Sequence, residues 1–234
     1  MYKSIAKVYD YIFPKNRKQL EFIEKVEEIT KDEKILDIGC ATGNLTSLIL
    51  EKTVNCEGID LDEELLYIAK NKKLPVKQLN MLYLDKEFSK EYFDRIVSFG
   101  NTLVHLDSRE EVKIVFQKVH NLLKNKGLFI VQIINYDKII DKKIESLPTI
   151  DNDEINFVRN YKIIGDKLEF ITKLNIKKEN LTINNNIKLL ALKKEEIEKM
   201  LLETGFGDLE FYGNFLGEKL TQDSEALIFV ARKR

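Results

Sequence analysis

The run Asp37-Ile-Gly-Cys-Ala-Thr-Gly-Asn44 puts a carboxylate at the end of a short strand-like stretch, Lys34 to Ile38, and two glycines in the turn after it. Glycine lets a main chain turn tightly and approach a ligand with no side chain in between, while Asp37 offers charge-assisted acceptors. Together they suit a small polar ligand, with an ordinary strand-to-helix turn as the plainer alternative. Asp60 stands 21 residues beyond Gly39, at the carboxyl end of the next expected strand, Cys56 to Ile59. A carboxylate there is able to accept both hydroxyls of a ribose, which is also how a dinucleotide fold uses it. The G-x-G-x-x-G arrangement is missing, however, and Asp37 would set negative charge against an incoming pyrophosphate. No Gly-Lys-Ser or Gly-Lys-Thr follows to cradle a nucleotide phosphate. A cationic, phosphate-free ligand meets no such conflict.

Further chemistry-bearing residues follow along the chain. Phe99-Gly-Asn-Thr-Leu-Val-His105 contains Asn101 and His105, the latter one of two histidines, with an ordinary pKa suited to collecting a proton or orienting an acceptor. A structural hydrogen bond is the plainer role for His105, and His120 reads as structural or exposed. Asn135 and Tyr136 follow a long apolar run and are expected to hold polar groups over a pocket. Arg159 interrupts a strand-like run, where its guanidinium could clamp a carboxylate bidentately, and Tyr161 shares its face at spacing two. Solvent exposure of Arg159 with a packed stem is the competing reading. Cys40 and Cys56 lack neighbouring histidines and so make no metal site, and Cys40 reads as buried filler rather than a nucleophile.

These residues need elements to hold them. Ile5, Val8, Tyr9, Ile12 and Phe13, then Leu20, Phe22, Ile23, Val26 and Ile29 recur at helical spacing, with Pro14 dividing two segments. Short segments at residues 34–38, 56–59, 76–79, 93–99 and 128–134 predict strands. Helical patterns at 63–70 and 110–123 alternate with them, the order an α/β fold requires. After Tyr136 the alternation stops, and Ile155 to Ile163, Leu168 to Ile176 and a segment reaching Leu192 predict antiparallel strands, the first pair joined at Gly165-Asp166. A bulge or turn at Asn184 to Asn186 is as plausible as strand there. A helix over residues 194–202, stopped by Thr204-Gly205, precedes strands at 206–212 and 226–231, joined too closely for a crossover helix and therefore antiparallel.

This constellation resembles the class I S-adenosylmethionine-dependent methyltransferases, and Phe99 to His105 is similar to the glycine/sarcosine N-methyltransferase branch. The resemblance implies an α/β, Rossmann-like seven-stranded sheet, mostly parallel with an antiparallel C-terminal hairpin, plus an inserted antiparallel β subdomain. It implies that S-adenosyl-L-methionine lies along Asp37, Gly39, Ala41 and Gly43, with its ribose on Asp60 beside Leu61. Asn80 stands where the family commonly has an aspartate contacting the adenine amino group, and Met81 packs near that ring. Phe99, Gly100 and Asn101 face the methionine moiety, and Tyr2 and Tyr9 resemble the aromatics of a leading helix that closes as a lid. A sulfonium methyl is already activated, so alignment and exclusion of water carry the transfer. His105, Asn101 and Tyr136 are the candidate catalytic residues, and Tyr2, Asn135, Arg159 and Tyr161 the candidate acceptor contacts.

The chain of 234 residues carries 38 Lys and Arg against 39 Asp and Glu, a formal charge of -1. That near balance removes a global argument for nucleic acid, and the Arg232-Lys233-Arg234 tail reads as solvated. No apolar stretch approaches the roughly 20 residues that cross a bilayer, so a cytoplasmic protein without membrane partners is expected. The expected divisions are a helical lid at 1–33, a cofactor-binding core at 34–136, an insertion at 137–192 for substrate or dimerisation, and core completion at 193–234. The expected activity is methyl transfer to a small-molecule acceptor, an amine or amino acid, by a monomer or homodimer and without a metal. The alternatives are an RNA or protein methyltransferase, a non-catalytic S-adenosylmethionine-binding regulator, and a nicotinamide-dependent oxidoreductase.

Overall fold

The structure, a computed structural model, describes residues 5–165 and 167–234. A 3-10 turn, Ala6–Val8, runs into α1 (Tyr9–Ile12), and past Pro14 the side chain of Asn16 caps α2 (Arg17–Val26) by accepting from the Lys18 N–H. Then come β1 (Lys34–Ile38), α3 (Asn44–Ile49), β2 (Asn55–Asp60), α4 (Glu63–Asn71), β3 (Val76–Gln78), α5 (Leu84–Glu87), β4 (Phe93–Ser98), α6 (Arg109–Leu122) and β5 (Leu123–Ile134). After α7 (Tyr136–Asp141) the chain makes four strands, β6 (Ser146–Asp151), β7 (Ile155–Ile164), β8 (Lys167–Ile176) and β9 (Leu181–Leu190). It finishes with α8 (Lys194–Glu203), β10 (Phe206–Tyr212) and β11 (Ala226–Lys233).

The main sheet has the order β10-β11-β5-β4-β1-β2-β3, and β6-β7-β8-β9 form a separate antiparallel sheet. Strands β1 to β5 run parallel, whereas β11 pairs antiparallel with both β5 and β10. The chain moves outward from β1 through β2 to β3, then returns to place β4 on the other side of β1. That reversal opens a crevice beyond the carboxyl ends of β1 and β4, where open α/β sheets bind ligands. The expected antiparallel insertion and C-terminal hairpin are both present.

Three local expectations need correction. α1 is a single turn instead of a full helix, because Phe13 and Pro14 leave the helical path and the apolar side chains pack outward onto other elements. α7 precedes the strands of the insertion. β5 begins at Leu123 rather than Leu128, and its register against β4 jumps from Phe93↔Leu123 to Arg95↔Leu128, so residues 124–127 bulge out. Asn184 to Asn186 lie in unbroken register with Lys173, Thr172 and Ile171, which settles that segment as strand. The expected tight turn at Gly165-Asp166 falls partly on Asp166, outside the described residues.

The strands β1, β4 and β5 read as continuous apolar runs because both faces are covered. On one face Phe116 of α6 meets Phe129 and Phe229 edge-on, and Leu201 of α8 joins them. Leu20 and Ile23 of α2 and Leu48 of α3 close the other. Arg95, in the middle of β4 and 1% exposed, is the largest of the buried polar side chains in these strands, beside Asp37 and Ser98. Its guanidinium donates to the carbonyls of Ile23 and Glu27 at 3.3 and 2.9 Å and pairs with Glu33. The Glu27 carbonyl lies past the last intrahelical donor, so Arg95 caps α2 from within the sheet and adds a second donor to Ile23, which also accepts from the Glu27 N–H.

The N-terminal segment bridges the two sheets. Ile5, Val8 and Ile12 pack on Ile155, Phe157 and Leu174 of the inserted sheet, while Ala6 packs on Ala41 and Leu65. Each of Ile5, Val8 and Ile12, buried here, contributes roughly 1.5–3 kcal/mol.

Candidate functional site

The loop after β1 is shaped by backbone geometry and one carboxylate. Gly39 has φ +78°, and a Cβ there would stand 2.3 Å from Thr102 Oγ1, so the loop after β4 packs on its bare Cα. The N–H groups of Gly39 and Cys40 both donate to the Ile59 carbonyl, at 2.8 and 3.0 Å, tying the end of β1 to β2. Ala41 holds a left-handed φ of 49°, and its N–H donates to Asp60 Oδ2 at 2.9 Å. Asp60 Oδ1 accepts from the Asp62 N–H, also at 2.9 Å. Burial raises the pKa of Asp60 in spite of these bonds. Asp37 is 2% exposed and accepts from Thr46 Oγ1 at 2.7 Å. Burial, with the charge of Asp60 adding to it, pushes its pKa up to about 7.

Two adjoining cavities open at this loop. The smaller, about 290 Å³, is walled by Asp60, Leu61, Asp62, Met81 and His105, and no lysine or arginine lines it among the described residues. The larger, about 580 Å³, lies between the N-terminal segment, the ends of β4 and β5, and β7. Tyr9, Gly39, Ala41, Phe99 and Gly100 line both and form the shared wall. A Cβ on Gly100 would meet nothing within 4 Å, so this stretch of backbone stands open to a ligand. The Gly100 N–H donates to Gln132 Oε1 at 2.9 Å, and the Asn101 N–H to the Gln132 carbonyl at 3.2 Å. Asn101, at φ 71°, accepts from the Ile134 N–H and donates to the Tyr136 hydroxyl.

The N-terminal strap is latched to the loop. The Asp10 carboxylate accepts from Thr42 Oγ1 at 2.5 Å, Asn44 Nδ2 at 3.0 Å and Lys72 Nζ at 2.8 Å. These donors hold its pKa below the ordinary value even though partial burial, the largest single influence, acts to raise it. Asn44 Nδ2 also donates to the Phe13 carbonyl, and Asn152 of the insertion donates to the Tyr11 carbonyl.

Of the residues expected from sequence, Tyr9, Asp37, Gly39, Ala41, Asp60, Leu61, Met81, Phe99, Gly100, Asn101, His105 and Arg159 line one cavity or the other. Others are drawn away by structural duties. Gly43, at φ 78°, turns the chain into α3 and packs against Leu74, leaving Gly39 and Ala41 as the loop's ligand-facing backbone. Asn80 caps the 3-10 turn Met81–Tyr83 by accepting from the Leu82 N–H. Asn135 is 2% exposed, caps α7 and donates to the carbonyls of Thr221 and Ser224, which consumes its amide. Tyr136 is wholly buried with its hydroxyl on Asn101, a support rather than a pocket wall. Tyr161 is 5% exposed, packed on Phe170. Tyr2 lies outside the described residues.

His105 and Asn101 also part company. Asn101 lines the larger cavity, whereas His105 lines the smaller, where desolvation by the surrounding walls lowers its pKa to about 4 even though part of the residue reaches solvent. Sequence reading missed Thr102, Gln132 and the Asp10 latch. Gln132 carried a usable signal, as the one polar residue within Leu128-Phe-Ile-Val-Gln-Ile-Ile134. Asp10 carried none, since its partners are more than 30 residues away.

Residues 35–127 match the family model of a methyltransferase domain. A glycine/sarcosine N-methyltransferase of Aphanothece halophytica is 24% identical over 218 residues, covering 91% of this chain and 81% of that protein. An S-adenosylmethionine-dependent methyltransferase from Clostridium acetobutylicum superposes with a TM-score of 0.84 at 23% identity, over 99% of this chain and 98% of that one. CalS10, an amino pentose methyltransferase from Micromonospora echinaspora whose structure holds S-adenosylmethionine, gives 0.71 at 15% identity, with 97% of each chain covered. Among the described residues no helix is long and apolar enough to cross a membrane, and no group of three or more metal-capable side chains converges.

Proposed function

We propose that this chain, a class I S-adenosylmethionine-dependent methyltransferase, delivers its methyl group to a small-molecule amine. The observation that carries this reading is the pair of cavities meeting at one wall. The smaller presents carboxylates and no cation, which suits an uncharged nucleoside joined to a sulfonium and disfavours a pyrophosphate. The larger lies under the strap and against the inserted sheet, where a small acceptor is shielded from water. That the relatives include a glycine/sarcosine N-methyltransferase supports an amine.

In this reading each Asp60 oxygen, already holding one backbone N–H, uses its remaining lone pairs on the ribose hydroxyls. Leu61 and Met81 flank the base, and the open backbone at Gly100 accommodates the methionine portion. When bound, S-adenosylmethionine supplies a methyl on a sulfonium whose departure leaves a neutral thioether. Asp37 lies where a carboxylate offsets that positive charge. Asn101, held by Ile134 and Tyr136, is a fixed polar group on the acceptor's side. The amine arrives as its free base, and no side chain needs to bond covalently to it. The segment ahead of α2 acts as the lid; α2, buried against the main sheet and so not the lid that residues 1–33 were expected to form, joins 34–136 and 193–234 in the binding core, and 137–192 act as the acceptor wall.

Calorimetry on protein freed of endogenous cofactor tests this directly. S-adenosylmethionine should bind saturably, and Asp60→Ala should weaken it by about ten- to a hundred-fold, the loss of hydrogen bonds to a charged group. A folded sample that binds none overturns the reading. Transfer of a radiolabelled methyl group to small amines, and not to RNA or protein, is the expected activity.

A further inference from the structure

The end of β5 overhangs the end of β4. The two strands remain paired as far as Ser98↔Val131, and β5 then runs on to Ile134 with no β4 residue opposite. The turn after β4 fills that gap in a left-handed conformation, with Gly100 at φ 80° and Asn101 at φ 71°. Both N–H groups of this pair go to one residue. Gly100 donates to Gln132 Oε1 at 2.9 Å and Asn101 to the Gln132 carbonyl at 3.2 Å, while the Ile134 N–H donates back to Asn101 Oδ1 at 3.0 Å. The left-handed region is uncommon outside glycine, and these bonds hold Asn101 in it.

Side chains alternate across a strand, so Gln132 shares a face with Leu128 and Ile130, which pack with Leu20 and Ile23 of α2. One step further that face ends at the larger cavity, where the half-buried Gln132 is part of the lining. A backbone N–H bonds to the oxygen of a carboxamide and not to its NH2 group, so the Gly100 contact fixes which way the amide is turned. Its Nε2 is left with two N–H donors and no partner among the described residues. The cavity's two cations, Lys15 and Arg159, come from the strap and from β7, whereas the sheet edge contributes the carboxylate Asp37.

On the reading that the larger cavity holds the amine, we infer that Gln132 is a positioning and specificity-determining residue. Its oxygen holds the left-handed turn, and its NH2 group binds an oxygen atom that the acceptor carries near its amine. A donor placed on the amine nitrogen itself would occupy the lone pair that attacks the methyl group, so the productive contact goes to an oxygen. That oxygen is uncharged, because a carboxamide brings no charge to offset a desolvated anion and Asp37 at the same sheet edge repels one when ionised. The acceptor class is then the amino alcohols and amino ethers. Gln132 makes and breaks no bond in the transfer.

The test assays the full chain for transfer of a radiolabelled methyl group to amines matched in size, methoxyethylamine with butylamine and ethanolamine with propylamine, and to glycine. In the unmodified protein kcat/KM for methoxyethylamine should exceed that for butylamine by about tenfold, and glycine should be a poorer acceptor than ethanolamine. Gln132→Glu keeps an oxygen for the Gly100 N–H but has no N–H of its own. The ratio for methoxyethylamine over butylamine should fall to about one, with affinity for S-adenosylhomocysteine kept within a few-fold. Gln132→Met lacks both functions and should also lower kcat on butylamine by about tenfold, as the turn is no longer held. A ratio near one in the unmodified protein, a ratio that survives in Gln132→Glu, or better transfer to glycine overturns the specificity role. An unchanged kcat in Gln132→Met overturns the bracing role. A large loss of S-adenosylhomocysteine affinity in Gln132→Glu gives Nε2 to the cofactor's own carboxylate and overturns the inference as well. Saturable S-adenosylhomocysteine binding with no transfer to any of these amines instead defeats the underlying amine reading, which separates the two failures.

Discussion

Asp37 shows how burial turns an ordinary carboxylate into a group that titrates near neutrality. With its pKa raised from 3.8 to about 7, the folded chain keeps a proton that the unfolded chain has already released. The stability this contributes is fully present below about pH 4 and is lost as the pH rises through about 7. Binding of a sulfonium runs the other way, since the cation favours ionised Asp37. Affinity for S-adenosylmethionine should therefore rise about tenfold between about pH 6 and pH 8, with a proton released on binding. Calorimetry in buffers of different ionisation heat measures both effects, and Asp37→Asn should flatten the profile. Asp60 faces the same loop and is also raised, whereas Cys40 and Cys56 are pushed up by burial and remain thiols, so Asp60 is the other carboxylate that could contribute.

At the level of elements, the site depends on joints between pieces distant in sequence. The Asp10 latch binds the strap to the loop after β1, and Gln132 of β5 fixes the backbone after β4. Arg95 does similar work beneath, joining β4 to the end of α2 and to Glu33. Burial raises the pKa of Glu33 although Arg95 opposes it, so desolvation outweighs the attraction within the pair. Arg95→Ala leaves the Glu27 carbonyl and Glu33 without this donor, while Ile23 keeps the Glu27 N–H. It should lower stability by about 3 kcal/mol or more in urea unfolding. A loss below 1 kcal/mol would mean that water takes over the capping.

Taken as a whole, the largest apolar cluster of the molecule is shared by both sheets. Tyr161, Leu168 and Leu189 of the insertion belong to the same apolar cluster as Phe129 of β5 and Leu201 of α8. Ile5, Val8 and Ile12 then seal the inserted sheet from the N-terminal side. An insertion built this way should not unfold independently. Denaturant unfolding followed by far-ultraviolet circular dichroism and by tyrosine fluorescence should give coincident single transitions, and separated midpoints would show the inserted sheet to be autonomous.

The alternation of strands and helices, the glycine turn after β1, Asp60, and the antiparallel insertion and hairpin were all legible in the amino-acid order. Each is written locally, in runs of apolar residues buried on both faces or in turn residues whose backbone needs are their own. Which polar residues reach the cavities was decided only in three dimensions. Asn80, Asn135 and Tyr136 have the right chemistry beside the right strands, yet backbone N–H groups, carbonyls and Asn101 nearer to hand consume their hydrogen bonds. Gln132 and Asp10 come into play because sheet order and chain return carry them across the crevice. Local pattern records the propensity to form an element and its buried face, whereas hydrogen-bond competition and long-range register depend on which elements become neighbours.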